Sequence, residues 1–174
     1  YVAPSVLQVK GAMDIAMEFH SLSKTANMTG WRVGFASGNP EMVNALMRVK
    51  SNIDSGLSQA NQEMGIAALD LPSEWVENNN AVYQKRRDKV VSVLNEIGVP
   101  AVAPKGALYI WTPIPEGYTS AEFAQKLLDE VNVVVTPGNG YGPGGEGYIR
   151  LSLTIPDDQI DEGLRRLAQL RVNS

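Results

Sequence analysis

The sequence predicts an α/β fold, because short runs of β-branched and aromatic residues alternate with segments whose apolar residues recur at helical spacing. Helix-start signals stand between these runs, where an α/β chain places its helices. The first run is expected to be a buried strand. Six runs are predicted to be strands: DIAMEF (14–19), WRVGFASG (31–38), VPAVAP (99–104), GALYIWTPI (106–114), VVVTPG (133–138) and GYIRLSLTI (147–155).

The predicted helices begin at residues that carry N-terminal helix signals. Proline followed by an acidic residue marks the starts at Pro40 and Pro156. Ser73 is a suitable N-cap, and Thr119 with Glu122 forms a capping-box pattern. Five helices are predicted: from Pro40, over residues 51–71, from Ser73 to about Ile97, from Thr119 to Val131, and from Pro156 with Ile160, Leu164, Leu167 and Leu170 facing inward.

The two parts of the chain differ in their pattern, which predicts a domain division near residues 70–75. Residues 1–72 are interpreted as the remnant of a larger α/β layer. Residues 73–174 begin with a long linking helix and continue as a small, compact α/β domain. The chain starts at Tyr1 rather than at methionine, so we expect it to be a piece of a longer protein.

The composition is that of an ordinary globular protein, with 44% hydrophobic and 20% charged residues. A net charge of −4 argues against nucleic-acid or membrane-surface partners, since both need a basic face. No apolar run is long enough to span a membrane. Cysteine is absent and His20 is the single histidine, so no metal site is predicted. We expect a cytoplasmic enzyme or binding module, with His20 packed or hydrogen-bonded in a core.

A glycine-rich stretch, TPGNGYGPGGEGY (136–148), formally matches G-x-G-x-x-G. The dinucleotide-binding motif needs a helix directly after it, but a strand is predicted here, so we interpret the stretch as a mobile turn over a cleft. It leads to Arg150 in YIRLSL, where an arginine among apolar residues needs an ion-pair partner or an anionic ligand. Both alternatives remain open, and a planar guanidinium suits a carboxylate ligand.

Two cations lie close together in SLSKTANMTGWRVG (21–34). Lys24 follows a predicted strand among small hydroxyl residues, which is a setting for a Schiff-base nucleophile. Arg32 can hold a phosphate, with Ser21 and Ser23 as neutral donors to the same anion. A surface loop with two solvated cations is the alternative.

The stretch 21–34 resembles the signature around the cofactor lysine of class I and II aminotransferases, a Ser-x-Ser-Lys run followed by a small-residue turn, Gly and Arg. EFHSLSK, NMTGWR and VKSNIDSGLSQANQ are most similar to the branch that acts on LL-diaminopimelate, and GYIRLSL resembles the segment that binds the substrate carboxylate. The resemblance covers nearly the whole chain. It implies the C-terminal part of a fold type I pyridoxal-phosphate-dependent transferase, with a remnant of the large-domain sheet and the small α/β sandwich domain.

The resemblance also implies a role for each residue of these segments. Lys24 would form the internal aldimine with pyridoxal 5′-phosphate and then move the proton between the substrate Cα and the cofactor. Ser21, Ser23 and Arg32 would bind the cofactor phosphate, and Arg150 would hold the α-carboxylate of the amino acid or 2-oxo acid. The implied reaction is amino transfer, with LL-diaminopimelate and 2-oxoglutarate as the expected substrates, in lysine biosynthesis.

In the family, the rest of the cofactor site lies upstream of the lysine and has no counterpart in this chain. The resemblance therefore implies a fragment with weak or no activity alone. It implies a homodimer for the full-length enzyme, because the segment 50–62 resembles the part that approaches the other subunit. Two alternatives remain: a pyridoxal-phosphate-dependent lyase of the same fold, which would keep Lys24 and Arg150, and a non-catalytic aminotransferase-like domain.

Overall fold

The structure is a computed structural model that describes residues 1–170. It divides the chain into two compact units, a first unit of Val2–Asn78 and a second unit that contains Tyr1 and residues 79–170. The break falls within a long helix, and the predicted boundary between residues 72 and 73, at the start of that helix, stays a prediction. Helices accompany strands in both units, which confirms the α/β class.

The first unit contains an antiparallel hairpin in which Met17 pairs with Gly38 and Ser21 pairs with Gly34. Glycine is required at both positions, because a Cβ at Gly38 would overlap the Met17 backbone and one at Gly34 would overlap the His20 carbonyl oxygen. The elements of this unit are α1 (Ala12–Ile15), β1 (Met17–Ser21), α2 (Leu22–Thr25), β2 (Gly34–Gly38), α3 (Pro40–Ile53), α4 (Gln59–Leu69) and 3-10 turns at Val6–Gln8 and Thr29–Trp31.

A small core lies beneath the connection between β1 and β2. Leu22, Met28 and Val33 are buried there. Gly65 lets α4 approach closely, since a Cβ at that position would lie 3.1 Å from a methyl group of Val33. The half-buried residues around this core are Ala26, Leu57, Met64 and Ala68. Helix α4 therefore packs against the β1–β2 connection through this core.

The strand predicted over 14–19 is displaced, and the prediction that it is buried is wrong. Asp14 and Ile15 belong to α1, which follows Gly11 at φ +85°, and β1 begins at Met17. Phe19 is 67% exposed. A strand is buried only when other elements pack against it. The hairpin forms a sheet of two strands and pairs with no third strand among residues 1–170, so it stays exposed.

The second unit is a three-stranded antiparallel sheet that packs against helices. Its elements are α5 (Ser73–Glu96, which enters the unit at Asn79), β3 (Tyr109–Pro113), α6 (Ser120–Val131), β4 (Thr136–Pro137), β5 (Tyr148–Ser152), α7 (Asp157–Leu167) and 3-10 turns at Gly138–Tyr141 and Pro143–Gly145. The strand order is β3–β5–β4, so β5 is central. Arg150 pairs with Trp111 on one side and with Thr136 on the other.

The core of the second unit lies between the sheet and its helices. Ile110 and Ile149 are completely buried. The capping box of α6 is confirmed, with the Thr119 N–H donating to Glu122 Oε2 at 2.8 Å and the Glu122 N–H donating to Thr119 Oγ1 at 3.3 Å. The inward-facing set of the last helix is also confirmed, since all of its members are buried: Ile160, Leu164, Leu167 and Leu170.

Two predicted strands of this part differ from the structure. The segment 99–104 is irregular, because the side chain of Asn95 takes the place of a partner strand. Its Oδ1 accepts from the Ala101 N–H at 3.1 Å and its Nδ2 donates to the Ala101 carbonyl at 3.0 Å. The strand predicted over 133–138 shortens to Thr136–Pro137, since proline lacks the N–H that would extend the ladder.

Candidate active site

The connection between β1 and β2 carries the residues predicted to bind a cofactor. Ser21 ends β1 and caps α2, where its Oγ accepts from the Ser23 N–H at 3.2 Å. Lys24 lies in the last turn of this short helix. Leu22 and Ser23 are buried whereas Lys24 is exposed. The helix therefore presents the amine outward from an anchored backbone.

Hydrogen bonds between side chains and backbone fix the turn that leads to Arg32. Thr29 Oγ1 donates to the Ser23 carbonyl at 2.9 Å, and Arg32 Nη1 donates to the Thr29 carbonyl at 3.0 Å. Asn27 and Arg32 have φ +54° and +55°, in the left-handed region that residues other than glycine rarely adopt. Backbone of this kind clusters at functional sites, where the surrounding structure holds it.

The two ends of the connection are also joined by the backbone. The Leu22 N–H donates to the Val33 carbonyl at 3.1 Å. The residue after Ser21 therefore lies beside the residue after Arg32. The predicted cofactor residues share one compact connection that offers an amine, two hydroxyls and a guanidinium. Such a set can condense with an aldehyde and donate hydrogen bonds to a phosphate.

Arg150 lies on the face of the second unit's sheet that is turned away from the core. Side chains alternate along a strand, so Tyr109 and Trp111 of β3 share a face with Tyr148 and Arg150 of β5. Ile110 lies on the opposite face and is completely buried. The arginine thus stands on an aromatic surface rather than inside the core.

Aromatic rings hold the guanidinium of Arg150. Its Cζ lies 4.2 Å from the centroid of the Tyr109 ring and 4.7 Å from that of Tyr141. Trp111 stacks on Tyr148 at 5.4 Å and meets Tyr141 edge-on at 5.7 Å. We call Tyr109, Trp111, Tyr141 and Tyr148 the aromatic cluster. The ion-pair alternative finds no carboxylate partner for Arg150 within residues 1–170.

The glycine-rich stretch forms two 3-10 turns. Gly138 and Gly145 cross so closely that a Cβ on either would overlap the carbonyl oxygen of the other. Ser120 of α6 fastens the end of the stretch, its Oγ accepting from the N–H groups of Gly147 and Tyr148 at 2.9 and 3.2 Å. A strand follows the stretch, so it lacks the helix that a dinucleotide motif requires. Movement as a lid stays a prediction.

The predicted site residues are divided between the two units. Lys24 and Arg32 belong to the first unit, and Arg150 belongs to the second. The structure therefore brings together the candidate cofactor ligands, and it places the candidate carboxylate ligand on a separate framework with its own aromatic support.

His20 lies on β1 and is not a core residue, since 45% of its side chain is exposed. Its Nε2 lies 3.2 Å from Glu18 Oε2, and its ring stacks on Phe35 with centroids 5.0 Å apart. Hydrogen bonds from the Ser5 hydroxyl, the Val6 N–H and His20 lower the pKa of Glu18, with Ser5 the largest cause. The hydrogen-bond prediction is confirmed, and the core prediction is wrong because this hairpin is exposed.

Sequence reasoning missed Tyr109 and Tyr141 as neighbours of Arg150. Strand alternation puts Tyr109 on the same face as Trp111, but the register of β3 with β5 is needed to place that face beside Arg150. Tyr141 comes from a 3-10 turn within the glycine-rich stretch, and no strand or helix period marks it.

Among the residues described, no helix is long and apolar enough to cross a membrane. The same part of the chain holds no group of three or more histidine, aspartate or glutamate side chains placed to bind a metal ion.

The fold and the geometry define an α/β protein with an exposed lysine amine on one unit and an arginine that lies against tyrosine rings on the other. Residues 2–167 match the family described as aminotransferase class I and II, and the chain belongs to that family.

Several aminotransferases are similar to this chain over nearly its whole length. All 174 residues of the chain align with an LL-diaminopimelate aminotransferase from Dehalococcoides mccartyi at 57% identity. The alignment covers 45% of that protein's length. An LL-diaminopimelate aminotransferase from Aquifex aeolicus is 51% identical over 169 residues. This alignment covers 97% of the chain and 44% of the Aquifex protein. An aminotransferase structure from Staphylococcus aureus superimposes with a TM-score of 0.89 at 38% identity, over 97% of this chain and 45% of its own. The chain thus spans less than half the length of these relatives.

Proposed function

We propose that the full-length protein containing this chain is a pyridoxal-5′-phosphate-dependent aminotransferase that transfers an amino group between an amino acid and a 2-oxo acid. One observation carries the proposal: in a chain of this family, the β1–β2 connection presents Lys24 from an anchored helix, with Arg32 in the same hydrogen-bonded turn. The donor set fits the cofactor, because a primary amine condenses with an aldehyde and a guanidinium binds a phosphate.

The residues of the connection have separate roles in this reaction. Pyridoxal phosphate, when bound, supplies the electron sink that stabilises negative charge at the substrate Cα. Lys24 would hold the cofactor through its Nζ, and the same amine would hold and move a proton at the substrate Cα. The hydroxyls of Ser21 and Ser23 and the guanidinium of Arg32 bind and orient the phosphate.

Arg150 orients the substrate by binding its α-carboxylate. A guanidinium offers five N–H donors in a planar fork, and two of them match the two oxygens of a carboxylate. The absence of a carboxylate partner within residues 1–170 supports this role, because the positive charge is not already neutralised there.

The proposed substrates are LL-diaminopimelate as amino donor and 2-oxoglutarate as acceptor, in lysine biosynthesis. Support comes from the 57% and 51% identity to two proteins that are named LL-diaminopimelate aminotransferases. Both proposed substrates carry an α-carboxylate, which an arginine fork recognises. Donor competition among LL-diaminopimelate, aspartate, alanine and an aromatic amino acid tests the choice. Formation of glutamate indicates amino transfer, whereas release of ammonia indicates the lyase alternative.

We also propose that the full-length protein is a homodimer. Helix α3 has no buried residue in the first unit and exposes Met47, Val49 and Ile53, with exposed fractions of 65%, 60% and 73%. Exposed apolar side chains along one helix and into the segment 50–62 suit a protein interface. Light scattering of the full-length protein gives its mass in solution, and a monomeric mass at assay concentration contradicts the proposal.

Reduction of the cofactor linkage tests the proposed chemistry directly. The full-length protein is incubated with pyridoxal phosphate, reduced with borohydride and digested, and the labelled peptide is identified by mass. We expect one pyridoxyl group on Lys24, no specific label in Lys24→Ala, and unchanged labelling in the control Lys10→Ala, which alters another exposed lysine of the first unit. Label on many lysines, or equal label in both variants, contradicts the proposal.

A further inference from the structure

We propose that Tyr109 and Tyr141 are positioning residues that hold the Arg150 guanidinium ready to bind the carboxylate shared by both substrates. The inference rests on the proposed function and extends it to two residues that act through Arg150. Their rings lie 4.2 and 4.7 Å from the guanidinium carbon, and they come from two separate segments, a strand and a 3-10 turn.

The cation–π contact between Arg150 and the two tyrosines differs from an ion pair in the N–H donors that it leaves available to a ligand. A cation over an aromatic ring is attracted by the ring's quadrupole, and the attraction leaves both the positive charge and the N–H donors in place. A carboxylate neighbour would also hold the arginine, but it would occupy the same donors that the substrate needs. Tyrosine rings therefore fix the direction of the fork without competing with the ligand.

The rings are themselves fixed by their neighbours. Tyr141 packs edge-on against Trp111, and Trp111 stacks on Tyr148. The turn that carries Tyr141 is held by the close crossing of Gly138 and Gly145, which no larger residue permits. A pre-positioned arginine loses less side-chain entropy on binding a ligand, so part of the cost of binding is met by the fold.

The aromatic cluster is open to solvent and lies outside the core of the second unit. Trp111 is 41% exposed and Tyr141 is 51% exposed. No member of the cluster belongs to the hydrophobic core, which is formed on the other face of the sheet around Ile110 and Ile149. Large aromatic side chains that remain accessible beside an arginine with no carboxylate partner in residues 1–170 are placed for ligand binding rather than for stability.

Paired substitutions in the full-length holoenzyme test the proposal. Tyr109→Leu and Tyr141→Leu remove the ring, whereas Tyr109→Phe and Tyr141→Phe keep it and remove only the hydroxyl. We expect each leucine variant to raise the KM of the amino donor and of the 2-oxo acceptor by about tenfold, since one cation–π contact is lost. We expect the phenylalanine variants to restore KM, with kcat and Lys24 labelling unchanged throughout.

A matched control is Tyr83→Leu, because the Tyr83 ring lies 5.5 Å from an arginine that is already paired with a carboxylate, Arg86 with Asp157. We expect no change in KM there. Calorimetric binding of 2-oxoglutarate is measured for every variant, so that the proposal is tested even without turnover. Leucine variants that bind 2-oxoglutarate as tightly as the parent, or phenylalanine variants no better than leucine, overturn the proposal. Absent Lys24 labelling in the parent instead contradicts the proposed function.

Discussion

The first and second units each hold one candidate anion-binding arginine, and they hold it by different means. Arg32 sits in a left-handed backbone conformation and donates one N–H to the Thr29 carbonyl. Arg150 sits on a regular central strand, and its contacts within residues 1–170 are with tyrosine rings. The first arginine is fixed through hydrogen bonds and backbone geometry, and the second through aromatic packing.

The difference suits the two proposed ligands. A cofactor phosphate stays bound through many turnovers, so Arg32 can use part of its hydrogen-bonding capacity on its own turn. A substrate carboxylate arrives and leaves in each cycle, so Arg150 must keep its donors free of internal competitors while its direction stays fixed. The comparison predicts that substitution of Arg32 weakens cofactor binding and that substitution of Arg150 weakens substrate binding.

The largest effect is expected for Arg150→Leu in the full-length protein. Loss of a bidentate, charge-assisted contact lowers kcat/KM by about 10²- to 10³-fold, and most of the loss is in KM. Arg150→Lys recovers only part of the activity, because an ammonium lacks the planar fork. Steady-state kinetics with varied donor and acceptor check this, and the cofactor absorbance serves as the control. An unchanged KM would contradict the role of Arg150.

Arg32→Leu and Arg32→Gly test the proposed role of Arg32 in cofactor binding. Both remove the guanidinium, so the dissociation constant of pyridoxal phosphate rises by about 10- to 100-fold in each, while KM at saturating cofactor stays near that of the parent. Glycine adopts φ near +55° without strain, so Arg32→Gly is the more stable of the two by about 1 kcal/mol. Cofactor titration and thermal unfolding measure the two effects separately.

A smaller effect is expected where the backbone supports the aromatic cluster. Gly145→Ala places a Cβ onto the Gly138 carbonyl oxygen and costs about 1–3 kcal/mol through local overpacking. Gly144→Ala is the matched control, because a Cβ there meets no atom within 4 Å. If displacement of Tyr141 follows, the KM of both substrates rises in Gly145→Ala only. Equal stability of the two variants would contradict the close crossing.

The sequence was sufficient for elements that carry their own local signals. The capping box at Thr119 and the apolar period of the last helix predicted α6 and α7 well, because both signals lie within the helix. The segment 99–104 was predicted wrongly, since the Ala101 backbone bonds to the side chain of Asn95 rather than to a partner strand. Burial of β1 was also predicted wrongly. An apolar run indicates that a strand favours burial, but it does not show that another element packs against the strand.

The same reasoning applies to the candidate site. The candidate cofactor residues of the first unit lie within a single connection of twelve residues, Ser21 to Arg32, so a local motif was enough to propose them. Arg150 was found as an unusual charge in an apolar strand, but its support depends on a pairing between distant segments. Tyr109 requires the register of β3 with β5, and Tyr141 requires the crossing of two glycines. Neither is encoded in a local period.

Arg165 and Arg166 show a third way of holding an arginine, by pairing with a carboxylate that the two share, and they give the smallest predicted effect. Both donate to Glu162 on the exposed side of α7, at 2.8 and 2.7 Å, and these hydrogen bonds lower the pKa of Glu162 from 4.5 to about 2, with Arg165 the largest cause. A lowered folded-state pKa contributes stability above the unfolded value, and that contribution is lost as the pH falls from about 4.5 to about 2.

Glu162→Gln should therefore remove part of the acid sensitivity of α7. Hydrogen-exchange protection of the α7 amides, corrected for intrinsic rates, is measured between pH 2 and pH 7 in the parent, in Glu162→Gln and in the control Glu116→Gln, which alters an exposed carboxylate in the turn before α6. We expect a flatter profile in Glu162→Gln alone. Because these arginines already share the Glu162 carboxylate, we also expect no change in KM, in contrast to Arg150. A KM that responded to Glu162→Gln would contradict this separation between the arginines that share Glu162 and Arg150, which has no carboxylate partner within residues 1–170.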